Sequence, residues 1–136
     1  MEGNPKEVDV TGNIPDHMRE IIDRILDVSA DIRYVAVYRD GQRASRERGG
    51  LSGASSTESD RYEELLVNPT LLTLVRQRGD IDCGGAMYVL VRYGNFFQLI
   101  IPVSGGHVSL AIEPRADPLT LLGQVRNVLV AAGLLK

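Results

Sequence analysis

Apolar positions along the chain recur with two different periods, and the switches between them mark out eight elements. From Ile14 to Ser29 the residues Ile14, Met18, Ile21, Ile22, Ile25 and Leu26 share one helical face, and Arg19, Asp23, Arg24 and Asp27 take the other. Pro15 suits a first helical turn, where an absent N–H costs nothing, and Asp16 and Glu20 lie near the positive end of the helix dipole. Residues 33–39 (RYVAVYR) are β-branched and aromatic and predict a strand. Asp40-Gly41 then signals a two-residue hairpin turn, with residues 42–46 as a short, charged edge strand. The segment 48–56 (RGGLSGASS) has the composition of a loop.

A second helical stripe follows at Tyr62, Leu65, Leu66, Leu72 and Val75, behind Thr57 and Ser59 as candidate N-caps. Asn68-Pro69 interrupts it: the residue before a proline avoids the helical region, and the proline itself fits a fresh first turn. The pattern predicts a kinked helix or two short ones ending at Gly79, then a loop over 80–85. Three strands come next, at 86–92, 96–103 and 107–113, joined by tight turns at Tyr93-Gly94-Asn95 and Gly105-Gly106. Phe96 and Phe97 are adjacent, so one must face each side of the sheet. Asp117 caps a final helix, with Pro118 at its first position, a stripe of Leu119, Leu122, Val125, Leu129 and Ala132, and Gly133 at its end.

The runs YVAVY, YVLV and LIIPV are almost continuously apolar, which indicates strands covered on both faces. The first and last helices have similar stripes and would share one face, with the middle helix on the other. A helix is about 10 Å wide and strands lie about 4.8 Å apart, so one helix shields about two strands. The rest of that face must meet solvent, a ligand or another chain. The expected fold is therefore α+β: a five-stranded, mostly antiparallel sheet with helices on both faces, in the order α-β-β-α-β-β-β-α. Residues 1–13 are expected to be a flexible leader and 14–136 a single domain.

At 136 residues, 43% apolar and 24% charged, the chain has the composition of an ordinary globular domain. Its formal charge of −3 gives little general attraction to nucleic acid or anionic lipid. Cys83 is the sole cysteine, so no internal disulfide can form, which suits a reducing compartment. The polar start lacks the apolar core of a secretory signal, and the apolar runs are far shorter than the ~20 residues of a membrane helix. A cytoplasmic location is expected.

The element order, the helix before VAVYRDGQ, the short second strand running into a Gly/Ser loop, and the final helix DPLTLLGQVRNVLVAAGLL together resemble the roadblock/LC7 family, which has a profilin-like sandwich. The resemblance covers roughly Pro15 to Leu135 and is one of pattern. It implies a dimer in which the middle helices (Tyr62 to Val75) pack on each other and the third strands (Ala86 to Arg92) pair edge to edge. Interface candidates are then Arg61, Tyr62, Leu65, Leu66, Leu72, Val75, Met87, Tyr88 and Val89. The resemblance further implies a scaffold or regulator of a small Ras-like GTPase, or an adaptor. A PAS- or profilin-like small-molecule sensor, with ligand on the uncovered sheet face, is the alternative.

Catalytic chemistry finds few candidates. Cys83 and His107, with Asp82 as a formal third group, would need hydrogen-bond reach, and two strand-end residues that never meet are the simpler expectation. Cys83, His17 and His107 match no metal-ligand spacing. Gly49, Gly50 and Gly53 lack the lysine and spacing of a phosphate loop. Arg43, Arg46 and Arg48 form a basic cluster, read as a charged edge that blocks aggregation rather than a nucleic-acid contact. In SDRYEELLVNP, Asp60, Arg61, Glu63 and Glu64 are expected on a polar outer face, and Tyr62, Leu65 and Leu66 inside. Alternatively, Arg61 and Tyr62 help form a partner or ligand surface. No catalytic residue, metal or cofactor is expected.

Overall fold

The computed structural model describes residues 16–49 and 57–136. The expected leader, residues 1–13, and most of the Gly/Ser loop, with Gly50 and Gly53, lie outside the described residues. Helix α1 (Asp16–Leu26) leads into strands β1 (Ile32–Arg39) and β2 (Gln42–Glu47). A helical run follows in three parts: α2 (Thr57–Tyr62), a π-helical turn (Glu63–Val67) and α3 (Asn68–Asp82). Strands β3 (Val89–Arg92), β4 (Phe97–Val103) and β5 (Gly106–Ile112) precede α4 (Pro118–Ala131).

The five strands form one sheet in the order β2-β1-β5-β4-β3, with every neighbouring pair antiparallel. β2 and β3 are its edges. Asp40 and Gly41 both have positive φ (52° and 83°), the signature of the mirror-image turn that matches the twist of a two-residue hairpin. The β4–β5 turn is Ser104-Gly105, one residue earlier than the sequence suggests. Gly106 already pairs with Val103, and any side chain there would run into the Tyr38 carbonyl, 1.8 Å from its first carbon.

α1 and α4 pack side by side on one sheet face. Ile21, Ile22 and Ile25 of α1 and Val125 and Leu129 of α4 bury against Val35, Val37, Leu99, Ile101, Val108 and Leu110. Asp117 caps α4, its carboxylate accepting the Leu119 amide at 3.1 Å and the Thr120 hydroxyl at 3.0 Å. The second face carries the helical run from α2 to α3.

Two differences from the sequence expectation matter. First, Asn68-Pro69 does not break the helix. The chain widens by one residue before it, and the Asn68 amide bonds to the Glu63 carbonyl five residues back. A proline cannot donate to the carbonyl four residues earlier and crowds it; a π-turn relieves both problems without ending the helix. Second, α3 continues past Gly79 to Asp82, and β3 begins at Val89, so residues 86–88 lie outside the strand. Gly79 is needed because the chain turns back over it, with the Gly85 backbone 3.0 Å from where a side chain would start.

Candidate functional site: a buried carboxylate and an adjoining cleft

Strand pairing places specific residues in rows across the second face. Glu47, Tyr34, Ala111 and Gln98 are register partners in turn across β2, β1, β5 and β4. The next row is Ser45, Ala36, Ser109 and Ile100, and the one beyond is Arg43, Tyr38, His107 and Pro102. Unlike the opposite face, this one is largely polar, although most of these side chains are buried and only Glu47, Tyr38 and Pro102 are half-buried.

Glu64 is the hub. The π-turn points it at the sheet, and it is 0% exposed. Its Oε1 receives the Asn68 amide at 3.0 Å and His107 Nε2 at 2.8 Å. Its Oε2 receives the Ser109 hydroxyl at 2.6 Å and the Tyr34 hydroxyl at 3.2 Å. A carboxylate only accepts, so His107 holds its proton on Nε2, and all four lone-pair positions of Glu64 are filled. The His107 ring stacks on Tyr38 with centroids 5.6 Å apart. Burial, then the charges of Glu64 and Asp60, raise the Tyr34 phenol well above its ordinary value, which keeps it a donor.

The outer-face expectation for Glu64 is therefore corrected, and the inner-face expectation for Tyr62, Leu65 and Leu66 with it. Those three apolar side chains are exposed, Tyr62 by 62%. A residue count at 100° per position fails across a turn that inserts an extra residue. An isolated buried carboxylate is costly, but one with four donors is not isolated. The signal available in the sequence was the pair His107 and Ser109, two apart in an apolar strand, together with Asn68 four residues after Glu64.

A cleft of about 780 Å³ opens beside this network, between α2, the π-turn and the β3–β4 turn. Its floor is the first sheet row: Glu47, Tyr34, Ala111 and Gln98. Tyr93 and Phe96 wall one end, with ring centroids 5.3 Å apart. Arg33 reaches this side because of a β-bulge. Ile32 pairs with Ile112 and Tyr34 with Ala111, so Arg33 is the extra residue, and Ile32 and Tyr34 fall on opposite faces. The Arg33 guanidinium lies 3.6 Å from Glu113, donates to the Asn95 carbonyl at 3.4 Å, and sits over the Phe96 ring. On the rim, Tyr93 donates its hydroxyl to Glu63 at 3.0 Å. Burial raises the Glu63 carboxyl above its usual range, the Tyr93 bond opposing, and burial with the Glu63 contact pushes Tyr93 up to about 12.

The remaining candidates separate. Cys83 is exposed with its thiol 3.4 Å from Asp82, while His107 is buried on Glu64, so the structure does not bring Cys83 and His107 into one hydrogen-bonded group. The three arginines are not a plain charged edge. Arg43 is buried, Arg46 pairs with Asp23, and Arg48 ties the carbonyls of Leu26, Ser29 and Ile32 together. Phe96 and Phe97 do face opposite sides, against the Tyr34 cluster and the α1–α4 core respectively. Of the nine interface candidates, Arg61, Tyr62, Leu65, Leu66, Val75 and Met87 are exposed and Tyr88 and Val89 half-buried, while Leu72 faces inward. Among the described residues, no helix is long and apolar enough to cross a membrane.

This architecture, with two helices on one sheet face and a long helical run on the other, is the roadblock/LC7-like fold. Solved structures of that kind are similar to the chain over most of its length. One, described as MglB with a tetrameric arrangement, shares 10% identity over 88% of each chain with a TM-score of 0.66. The gliding protein MglB from Thermus thermophilus shares 13% identity, covering 86% of this chain and 83% of its own, with a TM-score of 0.57. MglC from Myxococcus xanthus shares 14% identity over 85% and 92%, with a TM-score of 0.50. At such identities the likeness establishes the fold. No family model matches the sequence, and no curated protein does.

Proposed function

We propose that this chain is a non-enzymatic, cytoplasmic, dimer-forming interaction module that scaffolds or regulates a small Ras-like GTPase. The observation that carries the reading is where apolar surface is left uncovered. Seven of the nine large hydrophobic residues exposed in the described structure lie between Tyr62 and Met87, on the outer side of the helical run and the segment leading to β3. Leu66, Leu74, Val75, Ile81 and Met87 are prominent among them. Exposed apolar side chains concentrated on one part of the molecule in this way support an interaction site. It adjoins β3, an edge strand with unpaired backbone groups on its outer side. A second copy meeting both would pair strands into one sheet and bury the helix surface, as the family resemblance implies. The tetrameric arrangement described for MglB supports self-association in a protein of this fold.

Light scattering at micromolar concentration tests the dimer directly. A dimer is expected for the native chain, and Leu74→Glu with Val75→Glu should shift it to monomer while circular dichroism stays unchanged. A monomeric native chain overturns the reading. The GTPase partner is tested by adding the dimer to Ras-like GTPases of the source organism and following nucleotide hydrolysis and exchange. No change in either rate and no complex by gel filtration overturns that half.

A further inference from the structure

We propose that the cleft over the Glu47–Tyr34–Ala111–Gln98 row is a binding site for an arginine side chain presented on a peptide backbone. Three observations converge on that chemistry. The lining carries four carboxylates (Glu47, Glu58, Asp60 and Glu63) against one guanidinium, Arg33, which is itself paired with Glu113. Glu47 and Asp60 already have partners within the fold, so the contact with the ligand falls to Glu63 and Glu58. Glu63 uses one oxygen for the Tyr93 hydroxyl; its Oε2 is buried and has no hydrogen-bond partner among the described residues. An acceptor held that way costs free energy that an incoming donor would recover.

The second observation is Gln98. Gln98 is 2% exposed, it forms part of the cleft floor, and its amide nitrogen has no hydrogen-bond partner among the described residues. A buried donor without a partner is rare in native proteins and needs an account. An amide N–H asks for a carbonyl, which a bare cation does not have and a peptide does. The third is the aromatic wall of Tyr93 and Phe96. A planar guanidinium stacks on such rings better than an ammonium, and Arg33 already does so on Phe96 at 5.4 Å. The ligand thus stacks its guanidinium on the aromatic wall beside Glu63 and Glu58 and places a backbone carbonyl on Gln98.

The site lies on the sheet side of the helical run, and its test is separate from that of the dimer. Isothermal titration and side-chain amide NMR on the full chain would use three probes: N-acetyl-arginine methylamide, the citrulline equivalent and agmatine. Saturable binding of the arginine probe is expected, with a shift of the Gln98 side-chain amide signals and weakening by salt. The citrulline probe and agmatine should each bind at least about tenfold more weakly, the loss of one charge-assisted or one buried hydrogen bond. Glu63→Gln and Gln98→Leu should each weaken the arginine probe to a similar degree. Glu58→Gln, on an exposed position that does not put folding at risk, should weaken it less. Absence of saturable binding, or equal binding of the citrulline probe, overturns the proposal. Agmatine binding as tightly as the peptide probe overturns the role of Gln98 and the peptide source.

Discussion

The two faces of the sheet are covered by opposite means. Under α1 and α4 the contact is dry: isoleucine, leucine and valine from both helices interlock with the strands. Under the π-turn the contact is a carboxylate and four hydrogen-bond donors. Apolar burial is strong but undirected, since any well-shaped side chain gains from it. A saturated buried carboxylate is different: it is tolerable in one arrangement and costly in every other. The dry face is therefore expected to supply most of the stability. The wet face fixes which way the helical run lies, and hence which of its residues point outward to a partner.

The largest effect should come from cutting the hub. Glu64→Leu leaves four buried donors without an acceptor and is expected to cost about 3–5 kcal/mol, read by denaturant unfolding. Combining it with Tyr34→Phe, Asn68→Leu, His107→Leu and Ser109→Ala should recover most of that loss, because a matched apolar set replaces the network. Failure to recover would show that the wet face carries stability of its own. On the dry face, Leu110→Ala should cost about 2–5 kcal/mol, with no second substitution nearby able to restore it short of refilling the volume.

Smaller effects separate the faces by pH. Tyr93 keeps its proton up to about 12 in the folded chain, and Tyr34 also titrates well above its ordinary value. Unfolded tyrosines ionise near ~10. Between these values the native state binds more protons than the unfolded one, so stability is full below pH ~10 and falls as pH rises through that window. Absorbance at 295 nm should show late titration of Tyr34 and Tyr93, and Tyr93→Phe should remove one late-titrating group. An ordinary titration of both would contradict the wet-face geometry. The smallest effect belongs to the α4 cap. Thr120 and the amides of Leu119 and Thr120 hold Asp117 below the usual carboxylate range. Its contribution is present above the unfolded pKa and is lost as pH falls through the lower folded value. Asp117→Ala should flatten the acid limb of the melting curve and leave the alkaline limb unchanged.

How far the sequence could be read follows the same division. The dry face obeys periodicity, so the α1 stripe, the hairpin at Asp40-Gly41, the meander and the α4 cap could all be located from residue spacing, while on α4 the expected stripe is corrected at its start: Leu119 is exposed and Leu121 turns inward with Val125 and Leu129. The wet face breaks periodicity twice, at the π-turn and at the Arg33 bulge, and its residues are of types that composition assigns to the surface. Gln98 gave no warning as a polar residue inside FFQLIIPV, because one polar position in a strand says nothing about whether its partner is water or a ligand. Glu64 looked like its neighbours Asp60 and Glu63. The spacing of His107, Ser109 and Asn68 hints at a buried acceptor, and their positions in space assign it to Glu64.

The extra residue in β1 reverses parity. Counting by twos from Ile32 gives Tyr34 and Ala36, yet Ile32 belongs to one layer of the molecule and those two to the other. An alignment of this strand to a relative without the insertion can match the hydrophobic rhythm on one side of Arg33, or on the other, but never on both without a gap. Against a relative without the extra residue, sequence comparison would lose signal along this strand, whereas backbone superposition absorbs a single added residue with little penalty.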